Sequence, residues 1–164
     1  MIPFASGTPV ALTNVLGGVL NTGALIGFGS SVDSVTIGGA TIDLDGIGGV
    51  LGFAFVAPRA GTLSSISAFF SVTAGVTIST PVTIRAEIWR APATSNSFSA
   101  TGFAVNLLPT LGPIVNIGDV ANNNAAAALS VATGDKLLMV FSINTAVTVL
   151  TTITGFASAG IVID

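Results

Sequence analysis

The residues placed to do chemistry are few. Asp43-Leu44-Asp45 is the one carboxylate pair at strand spacing, and alternate residues of a strand share a face. Calcium wants about six or more oxygens, so this pair would need carbonyls and a third carboxylate, for which the fold would have to bring Asp33 or Asp119 near. A solvated turn running into Asp45-Gly46 accounts for the same residues. In PVTIRAEIWR, a strand sets Arg85, Glu87 and Trp89 on one face, with Arg85 and Glu87 about 7 Å apart. They read as an exposed ion pair beside an aromatic, worth under about 1 kcal/mol, or as a polar patch between subunits. A serine nucleophile would need a base, and the chain has no His and a single Lys. GGVLNTG and GIGGVLG lack both the Lys-Ser/Thr ending and the following helix of a phosphate loop. No catalytic, cofactor or metal site is expected, and the chain reads as a non-enzyme.

Composition points towards surface rather than chemistry. Apolar residues make up 51% of the 164 and charged residues only 7%, against a usual figure of about 25% charged. Polarity comes instead from 34 Ser and Thr and nine Asn, a supply that suits strands. One domain of this length buries roughly 70% of its unfolded surface, and so little charge leaves the rest weakly solvated. Association that hides surface is expected. The net charge of −3, with Arg59, Arg85, Arg90 and Lys136 as the only cations, excludes the basic stripe that nucleic acid requires. There is no cysteine and no N-glycosylation sequon. Residues 1–32 are uncharged but lack the basic start of a signal peptide. Residues 137–163 are uncharged and long enough to cross a bilayer, yet Ser142, Asn144, Gly155, Ser158, Gly160 and many β-branched residues favour buried strands. No membrane partner is expected; a membrane-embedded chain is the alternative that hydropathy leaves open.

The elements are then strands. KLLMVFSI, Lys136–Ile143, organises the rest: Leu137, Met139, Phe141 and Ile143 face one way, and Leu138, Val140 and Ser142 the other. Both faces are apolar and need cover, one from the facing sheet and the other from a second copy of the chain. SVTIGGATIDLDGIGG reads as a hairpin about Gly38-Gly39. Residues 50–56 and the strand carrying Ile66, Ala68, Phe70 and Val72 read as an antiparallel pair around the turn at Pro58 and Gly61. Val82, Ile84, Ala86 and Ile88 form another inward row. Pro109 and Pro113 break the next run, Asn122-Asn123-Asn124 reads as a turn, and residues 148–163 as a hairpin or bent strand hinged near Thr151–Gly155. About eight to ten short strands without a convincing helix predict an all-β antiparallel β-sandwich or jelly roll spanning 1–164, with 1–32 an extended arm or edge-strand region.

Three segments, IPFASGTPVALTNVLGG, FAFVAPRAGTLSSISAFFS and LLMVFS…GFASAGIVI, occur in an order that resembles the C-terminal head domain of collagen-like exosporium glycoproteins, most closely the BclB-related group. The resemblance covers nearly the whole chain. It implies a jelly roll of the TNF/C1q-like type, a homotrimer, and a structural role capping a collagen-like stalk outside the cell, on the spore surface among exosporium or appendage proteins. The Pro58…Gly61 turn is similar to one in C1q-like heads. The absence of Tyr and of any Gly-X-Y repeat within the chain departs from the family. The strand pattern supplies candidates for a threefold interface: Leu138, Phe156, Ala157, Ala159, Ile161 and Ile163, with Gly155 and Gly160 allowing close backbone approach. The same residues can instead fill the monomer's own core. The rival function is an adhesion module whose loops at Ala91–Ser99 or Asn122–Asn124 recognise a glycan or receptor.

Overall fold

The computed structural model describes residues 1–15, 20–37, 39–46, 52–147 and 149–164. The strands that build the two layers are β1 (Ile2–Ala5), β2 (Val10–Val15), β3 (Leu20–Ile26), β7 (Gly61–Val72), β9 (Ile84–Ala91), β10 (Ser97–Asn106), β12 (Val120–Val131), β13 (Lys136–Ile143) and β14 (Thr151–Ile163). The remaining strands are β4 (Ser31–Thr36), β5 (Thr41–Asp43), β6 (Phe55–Val56), β8 (Val76–Thr77) and β11 (Ile114–Val115). The pairings within the layers are nested and antiparallel: β1 and β2 with β14, β3 with β13, β7 with β12, and β9 with β10. First strand pairs with last, and so on inwards, which is the winding of a jelly roll. β1 is an edge strand, as Pro3 requires, whereas β2 pairs on both sides and joins the two layers.

The front sheet runs β12-β7-β14 and then β1 and β2; the back sheet runs β3-β13-β9-β10. Alternation fixes what lies between them. Ile66, Phe70 and Val72 of β7, Ile84, Ala86 and Ile88 of β9, and Leu137, Met139, Phe141 and Ile143 of β13 are all buried in one core. Gly155 is required where β14 crosses Phe70, since a Cβ there would lie 2.7 Å from the ring and 2.2 Å from the Ser71 carbonyl oxygen.

Several local readings are corrected by long-range pairing. β4 and β5 do not form a hairpin: β4 adds to β3, and β5 to β10. β6 pairs with β13 rather than β7. Asn122–Asn124 is no turn but lies within the first half of β12, opposite Phe69–Ser67. Of the two readings of the closing segment, the hairpin is excluded: Thr151–Ile163 is one strand, β14, whose neighbour changes from β2 to β1 along its length. Of the glycine pair at 38 and 39, Gly38 lies outside the described residues, as do Gly17-Gly18 and residues 47–51.

The second face of β13 is covered by the chain itself. Leu138 and Val140 pack with Leu25, Trp89 and Phe98 beneath Val35, Ile42 and Leu44, and with Val32, Ile37 and Phe53 at the margin. The excursion through β4 and β5 is thus a lid on the outer face of the back sheet, and it does the work assigned to a second copy.

Candidate functional site

The carboxylates are spoken for locally. Asp43 Oδ1 accepts from the Asp45 amide at 3.1 Å, and Asp45, in a 3-10 turn over Leu44–Gly46, accepts from Asn96 Nδ2 at 2.8 Å. Their strand spacing is therefore lost. Asp33 borders a hollow of ≈ 360 Å³ with Asp43, while its Oδ2 accepts from the Ala11 amide at 3.0 Å. Asp119 closes a separate turn on the Asn116 amide. Among the described residues no three His, Cys, Asp or Glu side chains gather where they could hold a metal ion. The 92–96 loop is pinned, because Lys136 Nζ donates to Asn96 Oδ1 at 2.6 Å while Asn96 holds Asp45.

What distinguishes the surface is its division of charge. None of the five front-sheet strands contains an Asp, Glu, Lys or Arg; Arg85, Glu87, Arg90 and Lys136 all lie on the back sheet. The outward row of β7 is Ser67, Phe69 and Ser71; that of β14 is Phe156, Ser158 and Gly160; that of β12 includes Asn122 and Asn124. Register sets them side by side, with Phe69 between Asn122 and Ser158, and Ser67 between Asn124 and Gly160. Phe69 is 40% and Phe156 44% exposed, unusual for aromatics in mid-strand. Beside Phe69, on the side away from Phe156, lies a hollow of ≈ 610 Å³, bordered by Pro3, Ser67, Phe69, Asn124, Ser158 and Gly160. A Cβ on Gly160 would meet nothing within 4 Å, so the missing side chain opens this hollow rather than relieving a clash inside the chain.

The six candidate interface residues do not share a face. Phe156 alone points outward. Ala157 and Ile161 are buried in the main core, and Ala159 and Ile163 pack against it. Leu138 has no exposed surface, being enclosed by the β4–β5 lid, so it has nothing to give a second copy. Residue parity on one strand separates Phe156 from its odd-numbered neighbours. Phe69 and Ser67 are not among the sequence candidates, and Asn122 and Asn124 enter there only as a recognition loop; the signal for Phe69 is an aromatic in the Ser row of its strand.

No protein-family model matches the chain. The chain is 32% identical, over 174 residues, to Collagen-like protein 1 of Acanthamoeba polyphaga mimivirus. The match takes in 98% of this chain but 18% of that protein, so the chain is homologous to a small part of its relative. Among solved structures it is similar to Eiger TNF from S. frugiperda, at 11% identity and a TM-score of 0.40, with 93% of this chain and 91% of that chain covered.

Proposed function

We propose that the chain is a non-enzymatic head domain that forms homotrimers through the outward face of the front sheet and caps a collagen-like stalk. The observation that carries this reading is the charge-free face with two half-exposed phenylalanines, Phe69 and Phe156, the first of them bordering an unfilled hollow. A face of this kind is poorly suited to water and well suited to another apolar surface of low charge. A head-to-tail contact between copies closes into a ring when its rotation allows, and a collagen helix winds three chains, so three is the number a head on such a stalk would adopt. Homology to part of a protein named as collagen-like supports the stalk. The three segments resembling exosporium heads support an extracellular place on a spore surface, with exosporium or appendage proteins as neighbours.

The test of the capping role is a fusion. A Gly-Pro-Pro repeat joined ahead of Ile2 would enter beside the proposed threefold face, since β1 is the edge strand of that sheet. The head is expected to raise the melting temperature of the triple helix, read by circular dichroism, and to make its refolding faster. A stalk that melts and refolds identically with and without the head would contradict the role.

A further inference from the structure

On the outward face of the back sheet, beyond the edge of the β4–β5 lid, lies a second hollow of ≈ 360 Å³. Its borders include Arg85, Glu87, Trp89, Ser142 and Asn144. The size is at the small end of the range for ligand pockets, roughly 300–1,000 Å³. Register explains the gathering: Ser142 stands opposite Arg85, Val140 opposite Glu87, and Leu138 opposite Trp89.

Glu87 is fixed twice, accepting from Arg85 Nε at 3.3 Å and from the Gly102 amide at 3.1 Å. The pair is thereby neutral as a unit, and Glu87 is held as a rigid wall. Arg85 spends only its Nε, so its terminal amino groups have no partner among the described residues. Ser142 is 8% exposed, yet its hydroxyl makes no hydrogen bond among the described residues. Asn144 gives its Nδ2 to Asn106 Oδ1 at 3.1 Å, which leaves its own Oδ1 as an acceptor. Donors from Arg85, an acceptor from Asn144 and a hydroxyl able to play either part therefore surround a small hollow, and Trp89 and Val140 supply an apolar side.

A simple surface ion pair needs none of this. We infer that the hollow bordered by Arg85, Glu87, Ser142 and Asn144 binds a neutral, hydroxyl-rich ring of hexose size. Mixed donors and acceptors match hydroxyl groups, which both give and take hydrogen bonds. A carboxylate or sulfate would gain from Arg85 but would meet Glu87 at the same place. The site lies on the sheet opposite the proposed threefold face, so the inference does not depend on the trimer.

Trp89 is the only tryptophan in the chain, so all the tryptophan emission comes from one side chain that borders this hollow. The full chain is titrated with a panel of methyl glycosides of neutral hexoses and deoxyhexoses, and separately with sodium sulfate. At least one glycoside is expected to give a saturable change in emission in the millimolar range, as befits a single sugar ring. Arg85→Met and Ser142→Ala are each expected to weaken that response at least tenfold, with unchanged circular dichroism. No saturable change with any glycoside, a response fully retained in both variants, or tighter binding of sulfate than of every glycoside would each overturn the inference.

Discussion

Replacing both outward phenylalanines by glutamate, Phe69→Glu with Phe156→Glu, attacks the proposed threefold face where it is richest. The two side chains are 40% and 44% exposed in the isolated chain. With about 200 Å² for a phenylalanine, each has some 80–90 Å² left to bury. At about 25 cal/mol per Å² that is about 2 kcal/mol apiece, or roughly 12 kcal/mol over three protomers. If only a third of that is realised, the loss is about 4 kcal/mol, close to a thousandfold in the association constant. The new carboxylates add a desolvation cost in a face that otherwise holds no charge. Sedimentation velocity over a range of micromolar concentrations reads the outcome, with circular dichroism to confirm an intact sandwich. The variant should sediment as one chain. A folded double variant that sediments like the parent would show that this face is not where copies meet.

Further substitutions separate the interface from the core. Gly160→Val should leave monomer stability within about 0.5 kcal/mol, because the added atoms meet open space, yet it should weaken self-association by filling the hollow; unchanged sedimentation would speak against the hollow being occupied. Leu138→Ala should cost about 2–5 kcal/mol in chemical denaturation, since the side chain is wholly enclosed beneath the β4–β5 lid; a loss below about 1 kcal/mol would mean the lid does not cover it. Gly155→Ala should destabilise by about 1–3 kcal/mol in thermal melts, because its Cβ would be driven into the Ser71 carbonyl and the Phe70 ring; a neutral result would contradict the crossing drawn there. Arg85→Met should cost under about 1 kcal/mol, as its side chain is 29% exposed and its ion pair is partly screened; a larger loss would make Arg85 structural.

Much of the fold is legible in local alternation. The inward rows of β7, β9 and β13 can be read directly from Ile66–Val72, Val82–Ile88 and Leu137–Ile143, because a strand between two layers must alternate or be apolar on both faces. Partner choice is not legible in the same way. The sequence around Gly38-Gly39 carries a hairpin signal, but β4 and β5 each find better company on separate edges of the back sheet. Asn122–Asn124 looks like a turn by composition and is held in β12 by its pairing with β7 and by Asn123 Nδ2 on the Asn106 carbonyl.

The candidate site was half legible. The shortage of charge pointed to a face that avoids water, and Phe156 does lie on the charge-free sheet. Leu138 was misplaced because an apolar strand face shows only that cover exists, not whether the same chain provides it. Strand parity, which the sequence does contain, sets Phe156 on the face opposite to Ala157 and Ile161. The convergence of Ser142 and Asn144 on Arg85 was out of reach, since it depends on the register between β9 and β13.

The mass of the native protein in plain buffer is the most direct measurement. Light scattering on a size-exclusion peak should give about 48 kDa, three chains of 16.1 kDa, at micromolar concentration. A single 16.1 kDa species under those conditions would mean that the uncharged sheet face, with Phe69 and Phe156, stands open to water and that copies of this chain do not shelter it.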